Sequence, residues 1–129
     1  MLAILILVIA AINMLAIKFS WYWSMLWLDM PMHFAGGVWL GGTVLWYRLF
    51  SGRYPFAGRS LMDTISWALA GAFFFGVLWE LYEAGVEIVL EKPINSILDS
   101  LSDVGFDVLG GLVVAVFVYR YMQNKLHGE

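Results

Sequence analysis

Asp99, Asp103 and Asp107 recur every fourth residue in the run DSLSDVGFDVLGG, which opens the last long apolar stretch of the chain. On a helix that spacing stacks three carboxylates on one face. Carboxylates in such a stretch are expensive to hold and need a functional reason. His33, Glu80 and Glu83 are the other chemically capable side chains set in apolar sequence. Carboxylates grouped with one imidazole suit a divalent cation: Mg²⁺, Mn²⁺, Ca²⁺ or, less typically, Zn²⁺. The ion would polarise a phosphoryl or acyl group, with His33 or Glu83 as general base or acid. The same acids can instead hold protons or line a wet cavity.

Composition says what must position them. Of 129 residues, 62% are hydrophobic and 13% charged, too little polar surface to cover a soluble domain of this size. The expected class is an all-α integral membrane protein, a single domain over 1–129. There is no cysteine, which removes disulfides, thiolate nucleophiles and Cys-based metal sites. No basic cluster interleaved with aromatics points to nucleic acid. The chain lacks a Gly-x-Ser-x-Gly element, a Walker-type loop and the Glu-x-x-His pairs of di-iron bundles.

Periodicity and stop signals predict a four-helix bundle, with helices over about 1–18, 32–50, 61–91 and 96–123. Residues 1–17 lack a basic leader and a small-x-small cleavage site, so a retained membrane helix is expected rather than a cleaved signal. Trp21, Tyr22, Trp23 and Trp27 give the next connection an interfacial composition. Asp29 and Pro31 mark a helix start, where Asp29 is either a cap or part of a polar layer with the other acids. His33, Gly37 and Gly41 then line one face, widened by Gly36 and Gly42. Arg48, Arg53 and Arg59 gather in the following loop, where Pro55 and Gly58 break helix. Ser60 with Asp63, and Ser96 with Asp99, have capping-box spacing, which reads Asp99 as part of a cap. Ala68, Ala72, Gly76 and Glu80 form a stripe of small residues leading to an acid, and the helix is expected to stop before Lys92-Pro93. Glu87 and Glu91 are expected to face water. The glycine faces suit packing within one chain or between copies in a homo-oligomer.

Depth ties the acids together. His33 lies thirteen residues before Trp46, Glu80 thirteen after Trp67, and Asp107 thirteen before Arg120. At about 1.5 Å per residue each sits roughly 20 Å from one interface. Three helices thus deliver a polar residue to one layer, with Asp29, Glu83 and Asp103 about one turn further out. With four spans, Arg48, Arg53, Arg59, Arg120 and Lys125 share a side with both termini, against Lys18 and Lys92 on the other. The positive-inside rule then puts both termini in the cytoplasm and the acids toward the outer leaflet.

Three motifs in order, Asp29-x3-His33-Phe34, Trp79-Glu80-x2-Glu83 and Asp103-x3-Asp107-x2-Gly110-Gly111, resemble the VanZ-like family of small multi-helix bacterial membrane proteins, or a closely related inner-membrane branch. Glu83 and Asp107 stand where many members carry Gln and Asn. The resemblance covers residues 29–111 and implies a multi-helix fold, a prokaryotic cytoplasmic-membrane location and a site at these motifs. The Asp-x2-Asp-Gly opening of CDP-alcohol phosphotransferases is absent.

The resulting expectation is an intramembrane site of His33, Glu80, Glu83, Asp103 and Asp107. His33, Glu80, Asp103 and Asp107 would ligate a divalent metal, and the partners would be membrane lipids or a lipid-linked substrate. A metal-dependent membrane hydrolase or transferase is one reading. An accessory membrane subunit and a cation- or proton-coupled transporter are the alternatives.

Overall fold

The computed structural model describes residues 1–51, 60–89, 91 and 96–127. Arg53, Pro55, Gly58 and Arg59, the helix limit at Leu90, the stop at Lys92-Pro93 and the terminal Gly128 and Glu129 lie outside the described residues. The described chain is helical and contains no strand. Four long helices carry it: α1 (Leu2–Lys18), α3 (Asp29–Phe50), α4 (Leu61–Val89) and α5 (Ile97–His127). A short α2 (Trp21–Ser24) and a 3₁₀ turn (Leu26–Leu28) bridge α1 to α3.

Local chemistry sets most boundaries. Ser60 Oγ accepts the Asp63 N–H at 3.0 Å, and Ser96 Oγ accepts the Asp99 N–H at 3.1 Å. Both serines are therefore N-caps, and Asp99 is the first-turn acid of its capping motif. Helix α3 starts at Asp29, earlier than expected, without a side-chain cap. Pro31 is tolerated there because its missing N–H falls in the first turn. Helix α4 ends at Val89, and Glu91 follows with a left-handed φ of 53°. Helix α5 runs past the expected limit at 123 to His127. Its inner stripe continues through Ala115 and Val118 to Met122, which is buried.

Packing is inverted relative to a soluble protein. Ala68, Ala72, Ala115, Gly37, Gly41, Gly71, Gly76, Gly110 and Gly111 face inward. Phe73, Phe74, Phe75, Leu78 and Trp79 of α4 and Leu109, Val113 and Phe117 of α5 face outward. Large apolar side chains on the outside and small ones at helix contacts are what a lipid solvent selects. The small core around Leu45, Ala68 and Ala115 is completed by Leu49, Ile65 and Val118. Helix α3 packs most extensively on α5, α4 covers both, and α1 leans on α3.

The closest helix approaches are made at glycines. A Cβ on Gly110 would collide with the Phe34 carbonyl oxygen, and one on Gly41 would stand 3.1 Å from Gly111 Cα. The glycine faces are thus used within one chain, which leaves the outer apolar faces for any homo-oligomer.

Helices α4 and α5, over Leu61–Val89 and Ile97–Lys125, are long and apolar enough to cross a membrane. Helix α1 has 17 residues, and α3 carries Asp29, His33, Arg48 and four glycines along 22 residues. Of the four expected spans, length and apolarity thus support those of α4 and α5.

Candidate functional site

Each of the three packed helices brings acid to the same end of the bundle. Helix α3 supplies Asp29 and, one turn on, His33. Helix α4 supplies Glu80 and Glu83, and α5 supplies Asp103 and Asp107. The small-residue stripe Ala68, Ala72 and Gly76 holds α4 close enough to α3 and α5 for these side chains to meet.

His33 is the hub. Its Nδ1 lies 3.2 Å from Asp107 Oδ2. Its Nε2 lies 3.6 Å from Asp29 Oδ1 and 3.9 Å from Glu80 Oε1. His33, Asp103 and Asp107 are 7%, 2% and 3% exposed, so the cluster is protein-enclosed rather than a solvated face. Among the described residues, the ion pairs of this cluster all run through that single imidazole. Several carboxylates ionised together in low dielectric repel one another, and one imidazolium cannot balance them.

Three glycines make the room Asp107 occupies. A Cβ on Gly36 would stand 3.4 Å from Asp107 Oδ1, and one on Gly76 2.7 Å from Oδ2. A Cβ on Gly37 would overlap the Asp107 carbonyl oxygen. These glycines serve as packing devices, as their spacing suggests, and they also frame a carboxylate.

Among the described residues, two oxygens of the cluster lack hydrogen-bond partners although buried: Glu80 Oε1 and Asp103 Oδ2. Buried polar atoms are nearly always paired, and an orphan calls for an explanation. One ligand atom each from Asp29, His33 and Asp103 lie within 4.8 Å of one another, and so do atoms from His33, Glu80 and Glu83. Ligands held at about 2.0–2.6 Å around a common ion are no more than about 4–5 Å apart. The donor set, hard oxygens with one imidazole nitrogen, fits a divalent cation.

All of His33, Glu80, Glu83, Asp103 and Asp107 are thus brought together. Asp99 is not: it is exposed in the first turn of α5. Glu91 is exposed, whereas Glu87 is half-buried rather than facing water. Asp29, which the sequence leaves open between a cap and the polar layer, is a member of the cluster. The i, i+4 spacing of Asp29 and His33 on one helix was the signal for it.

A second contact ties the aromatic connection to the site. Tyr22 Oη donates to Asn13 Oδ1 at 2.7 Å, which fastens α2 to α1. Burial, then the nearby Asp29 and Glu83 carboxylates, raise the Tyr22 phenol above its ordinary pKa. The phenol therefore stays protonated beside the outer edge of the cluster.

An inverted helical bundle with an enclosed acidic centre is the arrangement a lipid surrounding favours, and the family match agrees. A family model described as predicted membrane protein (DUF2238) matches residues 1–124. The chain belongs to the DUF2238 family. The match takes in all four long helices nearly to the end of α5. No curated protein and no solved structure matches the chain. For this DUF2238 protein, membership of a predicted membrane protein family supports the membrane class, and the chemistry has to be read from the side chains.

Proposed function

We propose that this protein holds a divalent cation in the outer part of a four-span membrane bundle and uses it to bind or act on an envelope lipid or lipid-linked substrate. The observation that carries the reading is the pair of buried, unpartnered oxygens, Glu80 Oε1 and Asp103 Oδ2, beside an imidazole. A cation of Mg²⁺, Mn²⁺, Ca²⁺ or Zn²⁺ type satisfies both and removes the repulsion among the acids. It would supply Lewis-acid polarisation of a phosphoryl or acyl oxygen. Glu83, half-buried at the margin of the cluster, is placed to move a proton. The activity class on this reading is a metal-dependent membrane hydrolase or transferase.

The VanZ-like resemblance of the three motifs supports a prokaryotic cytoplasmic membrane. The lysine and arginine distribution supports cytoplasmic termini, which turns the cluster toward the outer leaflet. Membrane lipids are the natural partners on that face. Transport fits less well. Below the cluster, a Cβ on Gly41 would stand 3.3 Å from the Ala68 carbonyl oxygen, and one on Gly111 2.8 Å from Ala72 Cβ. Backbones in such contact leave little width for an aqueous path, and no acidic ladder continues inward.

The test is elemental analysis of the full chain purified in lipid nanodiscs. A stoichiometric divalent ion that Asp103→Asn removes is the expected result. No divalent ion above background in the wild type, even after incubation with each candidate metal, overturns the metal reading.

A further inference from the structure

Resting on that cation-site reading, we infer a division of labour within the cluster: Asp107 positions the His33 ring, and Asp29 takes the ligand place that the sequence spacing suggested for Asp107. The two nitrogens of an imidazole point away from each other, so two groups on opposite edges of the ring cannot share one ion with the same nitrogen. Asp107 is on the Nδ1 edge at 3.2 Å. Asp29 and Glu80 are on the Nε2 edge at 3.6 and 3.9 Å.

Asp107 cannot cross to the other edge. Its carboxylate is framed by Gly36 and Gly76, and its backbone is pressed against Gly37. It also belongs to neither ligand group, whereas Asp29 and Asp103 share one with His33. The enclosed oxygens of Glu80 and Asp103 that lack hydrogen-bond partners among the described residues are the second, independent mark of a ligand, and that of Glu80 faces Nε2.

The assignment is therefore His33 Nε2, Asp29, Glu80 and Asp103 toward the ion. His33 Nδ1–H donates to the Asp107 carboxylate. A carboxylate on the distal nitrogen fixes the tautomer and ring orientation and makes the ligating nitrogen a better donor. The three glycines around Asp107 would then exist to hold that carboxylate still.

The chain has two histidines. With His127→Gln, His33 alone reports in ¹⁵N-histidine NMR of the full chain in nanodiscs. Zn²⁺, a diamagnetic probe, is expected to shift Nε2 to the metal-bound range while Nδ1 keeps its proton. The reverse pattern, Nδ1 bound and Nε2 protonated, overturns the inference but leaves the cation site standing. No shift at either nitrogen, together with no Mn²⁺ uptake by electron paramagnetic resonance, overturns both.

Affinities sharpen the split. Asp107→Asn keeps an acceptor for Nδ1–H and is expected to weaken Mn²⁺ binding about 10-fold, the low end for a residue behind a ligand. Asp29→Asn, which removes a ligand, is expected to weaken it about 100-fold or more, at wild-type helix content. An Asp29→Asn protein that binds Mn²⁺ like the wild type, beside an Asp107→Asn protein that does not bind, would sink the assignment.

Discussion

Toward the Arg48 end, α3, α4 and α5 meet backbone to backbone. Toward the Asp29 end, the same helices meet through side chains that carry charge. In the first region an added carbon would stand 3.1 Å from its neighbours at Gly41 and 2.8 Å from Ala72 Cβ at Gly111, and Leu45, Ala68 and Ala115 form the buried core beside them. In the second, five acids and one imidazole are gathered where no simple packing rule would put them, and two of the acid oxygens have no hydrogen-bond partner among the described residues. The difference separates what holds the bundle from what the bundle holds. Close van der Waals contact between small residues associates helices in lipid, where apolar burial supplies little. Enclosed polar groups that are imperfectly paired oppose association and persist where function requires them.

The boundary between the regions is where the largest effect is expected. Gly37 lies one turn below His33 on α3 and against Asp107 of α5. Gly37→Ala places a methyl group on the Asp107 carbonyl oxygen, a backbone atom that cannot turn aside. Helix α3 must then back away from α5. The loss expected in an SDS-unfolding titration is about 3 kcal/mol, the upper end for overpacking. Gly85 is the control, since nothing lies within 4 Å of a Cβ there. Gly85→Ala is expected to be neutral or to stabilise by about 0.5–1 kcal/mol through helix propensity. Equal losses at both glycines would show that the α3–α5 contact does not hold the bundle.

Much of this contrast can be read in the sequence. The common offset of thirteen residues from Trp46, Trp67 and Arg120 puts His33, Glu80 and Asp107 at one depth, and in the structure they are neighbours. The stripe of Ala68, Ala72 and Gly76 announces a close helix contact. What sequence does not carry is azimuth around the imidazole. Spacing along α5 makes Asp103 and Asp107 equivalent, yet a pairing across 74 residues puts Asp107 on Nδ1. Asp29 stays open in the sequence for a different reason: an acid beside Pro31 at a helix start has a local explanation as well as a place in the polar layer. Glycines at 36, 37 and 76 read as packing because the group they frame comes from another helix. The continuation of α5 to His127 depends on burial of Met122 against its neighbours, which the polar residues around it conceal.

On the polar side the sign of the effect should reverse. Asp103→Asn removes one charge from a surplus of carboxylates while keeping the shape of a side chain that is 2% exposed. In metal-free protein the same SDS titration is expected to show stability unchanged or raised by about 1 kcal/mol. Added divalent ion should stabilise the wild type and not the variant, because a ligand that binds only the folded state adds to its stability. A loss of 2 kcal/mol or more in the metal-free variant would mean that the acids are hydrogen-bonded structural members, and the two regions would no longer differ in kind.

The smallest effect is expected at the fastening between them and the aromatic connection. Tyr22→Phe removes a single hydrogen bond to Asn13 while keeping the ring. About 1 kcal/mol is the expected loss, since the phenol is half-buried and Asn13 can turn to other partners. The pH dependence gives the sharper reading. The folded phenol titrates above its ordinary value of 10.0, so folding favours the protonated form. The contribution of the hydroxyl is therefore full below pH 10.0 and is lost as pH rises through the raised folded value. Wild type and Tyr22→Phe should differ at neutral pH and converge in strong base, with tyrosinate absorbance marking the transition. Equal stability of wild type and Tyr22→Phe at neutral pH would show that the ring, not the hydroxyl, fastens α2 to α1. The aromatic connection would then belong with the packed region rather than with the polar one.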